Sequence, residues 1–314
     1  MKPLAFVLCL AAQPCSASED IADQYPASVL YSKPVEVIPG VFSAIGATAP
    51  PTYENAGHNN NLSFIVTNEG VVVINSGASY ALAEALHAEI KAITDQPVKL
   101  VFNENGQGHA MLGNSYWATQ GVDIVAHIDA AHEFEEYGDR SLQATQNRVK
   151  EKADKTDVVL PTTTFDDTYA VTLGGIDIEA RYLGPAHSPG DIVVWLPQKS
   201  LVISGDMAFH ERLLPIFDHT MTADWITTWN DAFEPLQATY VIPGHGHPTN
   251  MDQVRRYTHD YLVYLRGKVG DHLDAGGDLA EAYYVDQSPY AHLDTFEELA
   301  TKNAGRVYEQ MEFE

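Results

Sequence analysis

The chain has 314 residues, 45% hydrophobic and 19% charged, with 18 basic residues against 43 acidic ones and a formal charge of −25. That composition excludes disordered, collagenous and coiled-coil chains. A surface this acidic repels phosphate backbones and anionic lipid, so neither nucleic acid nor a membrane is an expected partner.

Met1-Lys2, the apolar run Leu4 to Ala12 and then Gln13-Pro14-Cys15-Ser16-Ala17 read as a secretory signal peptide over residues 1–17. The run is too short to span a bilayer. The expected location is therefore periplasmic or secreted. Cys9 and Cys15 both fall in this leader, so the mature chain is expected to have no disulfide and no thiolate ligand. Residues 18–60 are polar and rich in turns. Leu62–Val66 and Val71–Ile74 read as two strands of a hairpin around Asn68-Glu69-Gly70. Ser79–Thr94 has apolar residues at helical spacing, and Val98–Phe102 is a short strand. A glycine-rich loop over Asn103–Gly113 precedes a short helix at Ser115–Gln120 and a buried strand at Ile124–Ala126. Ala130–Lys155 reads as a strongly charged helix. Strands follow at Val171–Leu173, Ile176–Tyr182, Ile192–Leu196 and Leu201–Ser204, then a helix at Trp225–Leu236 and a strand at Tyr240–Ile242. Thr249–His272 and Thr295–Glu312 read as closing helices. One domain is expected over 18–314, with a helical extension from about residue 251 that either packs on the core, covers a cleft or mediates a homodimer.

Polar residues gather at the ends of the expected strands. Ile74-Asn75-Ser76-Gly77 closes one strand. Ala186-His187-Ser188-Pro189-Gly190-Asp191 lies between two others. Ser204-Gly205-Asp206 and Pro243-Gly244-His245-Gly246 close two more. In this order and spacing the segments resemble the later metal-binding motifs of the metallo-β-lactamase-fold superfamily. The resemblance runs from about Asn61 to Asn250. It implies an α/β fold, a four-layer αβ/βα sandwich of two mixed β-sheets with outer helices and a metal site in a cleft at the sheet edges.

The chain departs from that pattern where the superfamily usually carries His-x-His-x-Asp-His. Here the segment is Asn105-Gly106-Gln107-Gly108-His109-Ala110. Asn105 and Gln107 stand in place of the leading histidines, His109 in place of the aspartate and Ala110 in place of the last histidine. Asn75 replaces the usual early aspartate. The resemblance leaves His109, His187, Asp206 and His245 as metal ligands. Three imidazoles and a carboxylate suit one divalent ion, with zinc the first choice and iron or manganese also accommodated. Asn105 and Gln107 are neutral amides, better hydrogen-bond partners than ligands, and are assigned with His210 to substrate binding. Asp206 and His109 are assigned the catalytic roles. Glu104 is an added acid in the loop, a second candidate for general base. Arg212 either binds an anionic substrate group or makes a surface ion pair. His58 is expected to be structural or exposed. His87, His127, His132, His259, His272 and His292 are expected on outer surfaces.

The expected function is a metal-dependent hydrolase of a small ester, lactone, thioester or amide, in which a metal-bound water is the nucleophile. The competing expectation is a non-catalytic relative that binds a ligand in the cleft without metal. An iron oxygenase acting on a sulfur compound ranks below both, because that branch relies on the position held here by Asn105. A β-lactamase is disfavoured by the long C-terminal helices. No Gly-x-Ser-x-Gly elbow and no phosphate-binding loop with Lys-Ser or Lys-Thr occurs.

Overall fold

The computed structural model describes residues 25–314, so the expected leader over 1–17 with both cysteines lies outside the described residues. Twelve strands form two sheets among those residues. The first holds β1 (Val35–Ile38), β2 (Val41–Ala44), β3 (Leu62–Val66), β4 (Val71–Ile74), β5 (Val98–Asn103), β6 (Asp123–His127) and β7 (Thr163–Phe165), in that spatial order. Strands β1 to β4 pair antiparallel and β4 to β7 pair parallel. The second holds β8 (Thr168–Leu173), β9 (Ile176–Tyr182), β10 (Ile192–Leu196), β11 (Leu201–Phe209) and β12 (Tyr240–His245). Only the β11–β12 pair is parallel there.

The central strands of the first sheet are apolar on both faces because both faces are covered. Val72, Ile74, Leu100, Phe102 and Val125 point inward against Ile178, Ala180, Ile192, Val194, Leu196, Ile203 and Ile242 of the second sheet. The alternate residues Val71, Val73, Val101 and Ile124 point outward. They meet Leu82, Leu86 and Ile90 of α1 (Tyr80–Ile93) and Trp117 of α3 (Asn114–Thr119). Ser79 caps α1, its side chain accepting from the Leu82 amide. A short α2 (Gly108–Met111) sits inside the glycine-rich loop, and α4 (Ile128–Val149) runs past it.

The outer face of the second sheet is covered by α5 (Thr222–Thr228), α6 (Met251–Tyr257), α7 (His259–Asp274), α8 (Leu279–Ala282) and α9 (Phe296–Met311). The result is the four-layer αβ/βα sandwich. A π-helical turn at Trp229–Phe233 and a 3-10 turn at Glu234–Leu236 extend α5. The closing helix expected over 249–272 breaks at Thr258, whose Oγ1 accepts from the Phe209 amide and donates to the Phe209 carbonyl. Three strands were not legible as such: β1 and β2 form a hairpin in the segment read as turns, and β7 is a short polar edge.

Three histidines expected at the surface are buried. His87 bonds the Tyr116 hydroxyl at 2.7 Å through Nδ1, His127 stacks on Tyr182 with ring centroids 4.0 Å apart, and His259 packs beside Trp229. His58 is fully buried, its Nδ1 accepting from the Tyr31 amide at 2.9 Å.

Candidate metal centre

The site lies between the sheets, at the C-terminal ends of β4, β5 and β12 and within β11. Asn61 binds the two halves together: its amide donates to Gly244 O at 2.7 Å, and its Nδ2 to Pro243 O and Gly246 O. Asn75 ends β4 with φ 68°, a left-handed conformation that asparagine tolerates. Its side chain holds Glu104 from both directions, donating to Oε1 at 2.7 Å and accepting from the Glu104 amide at 3.1 Å.

Asp206, 1% exposed, is the hub. Its Oδ1 lies 3.3 Å from His245 Nε2, and its Oδ2 lies 3.5 Å from His109 Nε2 and 3.4 Å from His187 Nδ1. Ligand atoms of His109, Asp206 and His245 all lie within 4.8 Å of one another. His187 is at the same carboxylate, but its Nδ1 bonds Gln107 Nε2 at 3.0 Å. The converging set is thus three residues, with the fourth expected ligand beside it. Asn105 is fully buried and donates to Asp206 Oδ2 at 3.2 Å, while its Oδ1 accepts from the Gln107 amide. Both amides therefore serve as hydrogen-bond partners of site residues. His210 is not at the cavity: its Nδ1 bonds the His247 carbonyl and its ring packs edge-on against Tyr257. The substrate-binding assignment of His210 does not match this placement.

The neighbours prepare the ligands. His245 Nδ1 donates a short hydrogen bond to the Asn59 carbonyl, which leaves Nε2 unprotonated and facing Asp206. Phe209 stacks on the same ring with centroids 5.0 Å apart. Burial lowers His245 to about 4 and His187 to about 3, despite the Asp206 charge, so both are neutral imidazoles at neutral pH. Burial also opposes charge on His109, but Asp206 and Glu104 outweigh it and raise its pKa. Asp206 is the converse: burial would raise it, and His109, His245 and His187 together hold it well below the usual carboxylate range. Burial and then the Asp206 charge raise both Glu104 and Asp191.

The donor set fits a divalent cation. His109 Nε2, His187 Nε2, Asp206 Oδ1 and Glu104 Oε2 are all buried without a hydrogen-bond partner. Buried polar atoms without partners are costly unless something pairs with them; of these, the His109 and Asp206 atoms belong to the converging set, and imidazole nitrogen with carboxylate oxygen is what zinc, iron or manganese binds.

A cavity of about 800 Å³ opens over His109, His187, Asp206 and His245. Arg212, 6% exposed, lines it, with Nη1 3.4 Å from His245 Nδ1, so the surface ion pair is excluded. Burial lowers its pKa to about 10, opposed by Asp206, Asp294 and Glu298. Sequence reading missed the wall formed by α4. Glu133, Tyr137, Arg140, Ser141, Ala144, Thr145 and Arg148 line the cavity at helical spacing, opposite His219 and Phe217. That stripe was present in the sequence, but a charged helix reads as solvent-facing until the fold supplies the cleft.

Comparison with known proteins points to the metallo-β-lactamase fold. The family model described as the metallo-beta-lactamase superfamily matches residues 112–245. Among curated proteins, the chain is 26% identical over 195 residues to a type 2 metallo-beta-lactamase from Bacteroides fragilis, covering 58% of this chain and 70% of that one. It is 22% identical over 239 residues to a linear primary-alkylsulfatase from Pseudomonas sp., covering 63% of this chain but 44% of the relative. Among solved structures it resembles a metallo-beta-lactamase from Pontibacter korlensis, with 20% identity, a TM-score of 0.59 and coverage of 73% and 98%. It also resembles a stereoselective inverting sec-alkylsulfatase from Pseudomonas sp., with 18% identity, a TM-score of 0.66 and coverage of 90% and 52%. The chain thus spans about half the length of the alkylsulfatases it matches, and at these identities the structures speak for the fold. The fold is therefore that of the metallo-β-lactamase neighbours, and the family model matches a segment of less than half of the chain.

Proposed function

We propose that the protein is a metal-dependent hydrolase with a mononuclear site, acting on a small molecule with an ester, lactone, thioester or amide bond. One observation carries the reading: buried ligand atoms of His109, Asp206 and His245 converge while neighbouring buried atoms lack partners. The superfamily relatives, a lactamase and an alkylsulfatase by name, support a hydrolytic reaction. When bound, a divalent ion would supply a water acidic enough to act as nucleophile near neutral pH. His109, Asp206 and His245 would hold it, with His187 at hand. Glu104 Oε1 lies 3.5 Å from His109 Nε2, beside the atom that would hold the ion. Asn105 and Gln107 fix Asp206 and His187. Zinc is the first choice of metal. The leader-like residues 1–17 support export to the periplasm or beyond.

Elemental analysis of purified protein should find about one divalent metal per chain, removed by chelator with a fall in Tm. Asp206→Asn or His245→Ala should weaken metal binding by about two to three orders of magnitude. That is one ligand's share of the roughly 10–16 kcal/mol by which four ligands hold structural zinc. Two metals per chain, or none after supplementation, would overturn the mononuclear reading. The second reading, a cleft that binds ligand without metal, draws on the hydrogen bonds that Asn105 and Gln107 already make. It requires Tm to be indifferent to chelator.

A further inference from the structure

The charges on the cavity wall divide unevenly. Three of the chain's eight arginines, Arg140, Arg148 and Arg212, line this one cavity. Arg212 is buried at the metal end, where Asp206, Asp294 and Glu298 answer its charge. Arg140 and Arg148 differ. They stand on the exposed face of α4, and neither has a carboxylate within 4.0 Å among the described residues. In a chain with 43 acidic residues, most cations could find an anion, as Arg181, Arg255, Arg266 and Arg306 do.

The acids of the cavity are already accounted for. Asp206 lies among imidazoles, and Asp218 pairs with Arg306. Glu133 lies at the end of the wall near Gly106, where a Cβ on that glycine would meet its carboxylate. At 1.5 Å per residue, Arg140 stands about 10 Å and Arg148 about 22 Å along the helix axis from Glu133. The cavity lining also holds an apolar set, Pro50, Pro51, Ala144, Val149 and Leu299, with Ser141 and Thr145 between the two arginines on α4.

We propose that the α4 wall is an anion subsite, in which Arg140 and Arg148 hold the anionic group of an amphiphilic substrate whose apolar body crosses the cavity. The anion is then a remote handle and the scissile bond is a separate group at the His109–Asp206–His245 end. This deepens the hydrolase reading and rests on it for the identity of the reacting end. Guanidinium groups suit carboxylate, sulfate and phosphate alike, so anionic headgroup is the shared chemistry.

The test is calorimetric binding of octanoate, octyl sulfate, octanol and octyltrimethylammonium to the full chain, first chelator-treated and then zinc-loaded. Both anions should bind about tenfold more tightly than octanol, the effect of one charge-assisted hydrogen bond. The cation should bind more weakly than octanol. Arg140→Gln with Arg148→Gln should abolish the anion preference and leave octanol binding unchanged. Arg256→Gln, on an exposed face of α6 away from the cavity, should change nothing. Raising salt should erode the preference of the wild type, an arm that needs no variant. A preference for octanoate over octyl sulfate, or the reverse, identifies the headgroup. Equal affinity for octanoate and octanol would overturn the proposal. So would an anion preference seen only with zinc, which would put the anion on the metal and leave the hydrolase reading standing. An anion preference in a protein that takes up no metal would sink the hydrolase reading and keep the subsite.

Discussion

Replacing Glu133 by glutamine should stabilise the protein, but only above mildly acidic pH. The carboxylate sits on the cavity wall with its side chain 14% exposed. Its Oε2 has no hydrogen-bond partner, and its Oε1 is 3.9 Å from His219 Nε2. Burial raises its pKa from 4.5 to about 7, against a smaller opposing effect of His109. The folded protein therefore holds the proton more tightly than the unfolded chain does. Below pH 4.5 both states are protonated and the group costs nothing. Between 4.5 and about 7 the unfolded chain ionises first, so stability falls as pH rises. Above about 7 both are ionised and the loss is complete. At about 1.36 kcal/mol per pH unit that loss is about 3 kcal/mol. Glu133→Gln removes the titration and keeps the shape. Urea unfolding of both proteins should give equal stability at pH 4.5 and a variant more stable by about 3 kcal/mol at pH 8.5. The chelator-treated protein is the sample to use, because a bound cation would itself favour the carboxylate. A difference that is the same at both pH values would refute the reasoning. A carboxyl kept at such a cost on a cavity wall is the pattern expected of a group retained for chemistry.

His58 makes the opposite pH prediction. Burial lowers its pKa from 6.5 to about 4, and its neutral Nδ1 accepts from the Tyr31 amide. Its contribution is complete above pH 6.5 and is lost as pH falls through about 4, a span of about 3 kcal/mol. The destabilisation caused by His58→Gln should thus shrink between pH 7 and pH 4 in urea titrations, and a constant difference would count against it. Gly113→Ala should cost about 3 kcal/mol or more. The new Cβ would lie 2.0 Å from the Ser76 carbonyl oxygen and 3.1 Å from Ala83 Cβ. Because Ser76 bonds the Ala110 carbonyl through its amide and hydroxyl, the same variant should also weaken metal uptake at His109. A loss under 1 kcal/mol would show that the α2 turn yields easily.

What the sequence revealed follows from how local each signal is. The β3–β4 hairpin was legible to the residue because Asn68-Glu69-Gly70 separates two apolar runs. Helix α1 was bounded by Ser79 and Thr94, which are its caps. The β1–β2 hairpin was missed although Pro39-Gly40 is a turn signal, because Glu36 and Lys33 dilute a short strand whose first residues are exposed. Strand β7, Thr163–Phe165, is three residues long and exists only because β6 offers it an edge. At the site, motif spacing located His109, Asp206 and His245. It did not tell that Gln107 would engage His187 or that Glu104 would be clamped by Asn75, since these are contacts between distant segments. The α4 wall was hidden for the same reason. Glu133, Arg140 and Arg148 lie on a helix whose charge pattern suits water, and only the packing of α2 against α4 turns that face toward the cleft.

The amide substitutions have a physical consequence beyond the loss of two ligands. Asp206 Oδ2 receives the Asn105 amide and faces both His109 and His187, whereas Oδ1 faces only His245 and has no hydrogen-bond partner. The carboxylate is thus pinned on one oxygen and open on the other. Gln107 does the same to His187 by occupying Nδ1. In the half of the site built around positions 105 and 107, the two amides direct their N–H groups at Asp206 Oδ2 and His187 Nδ1, so those two atoms are already paired by protein while His187 Nε2 is not. The other half, with His245 Nε2 freed by the Asn59 carbonyl and Asp206 Oδ1 without a hydrogen-bond partner, receives no such amide. One cation restores the balance there, and a second would have to displace hydrogen bonds that are already made.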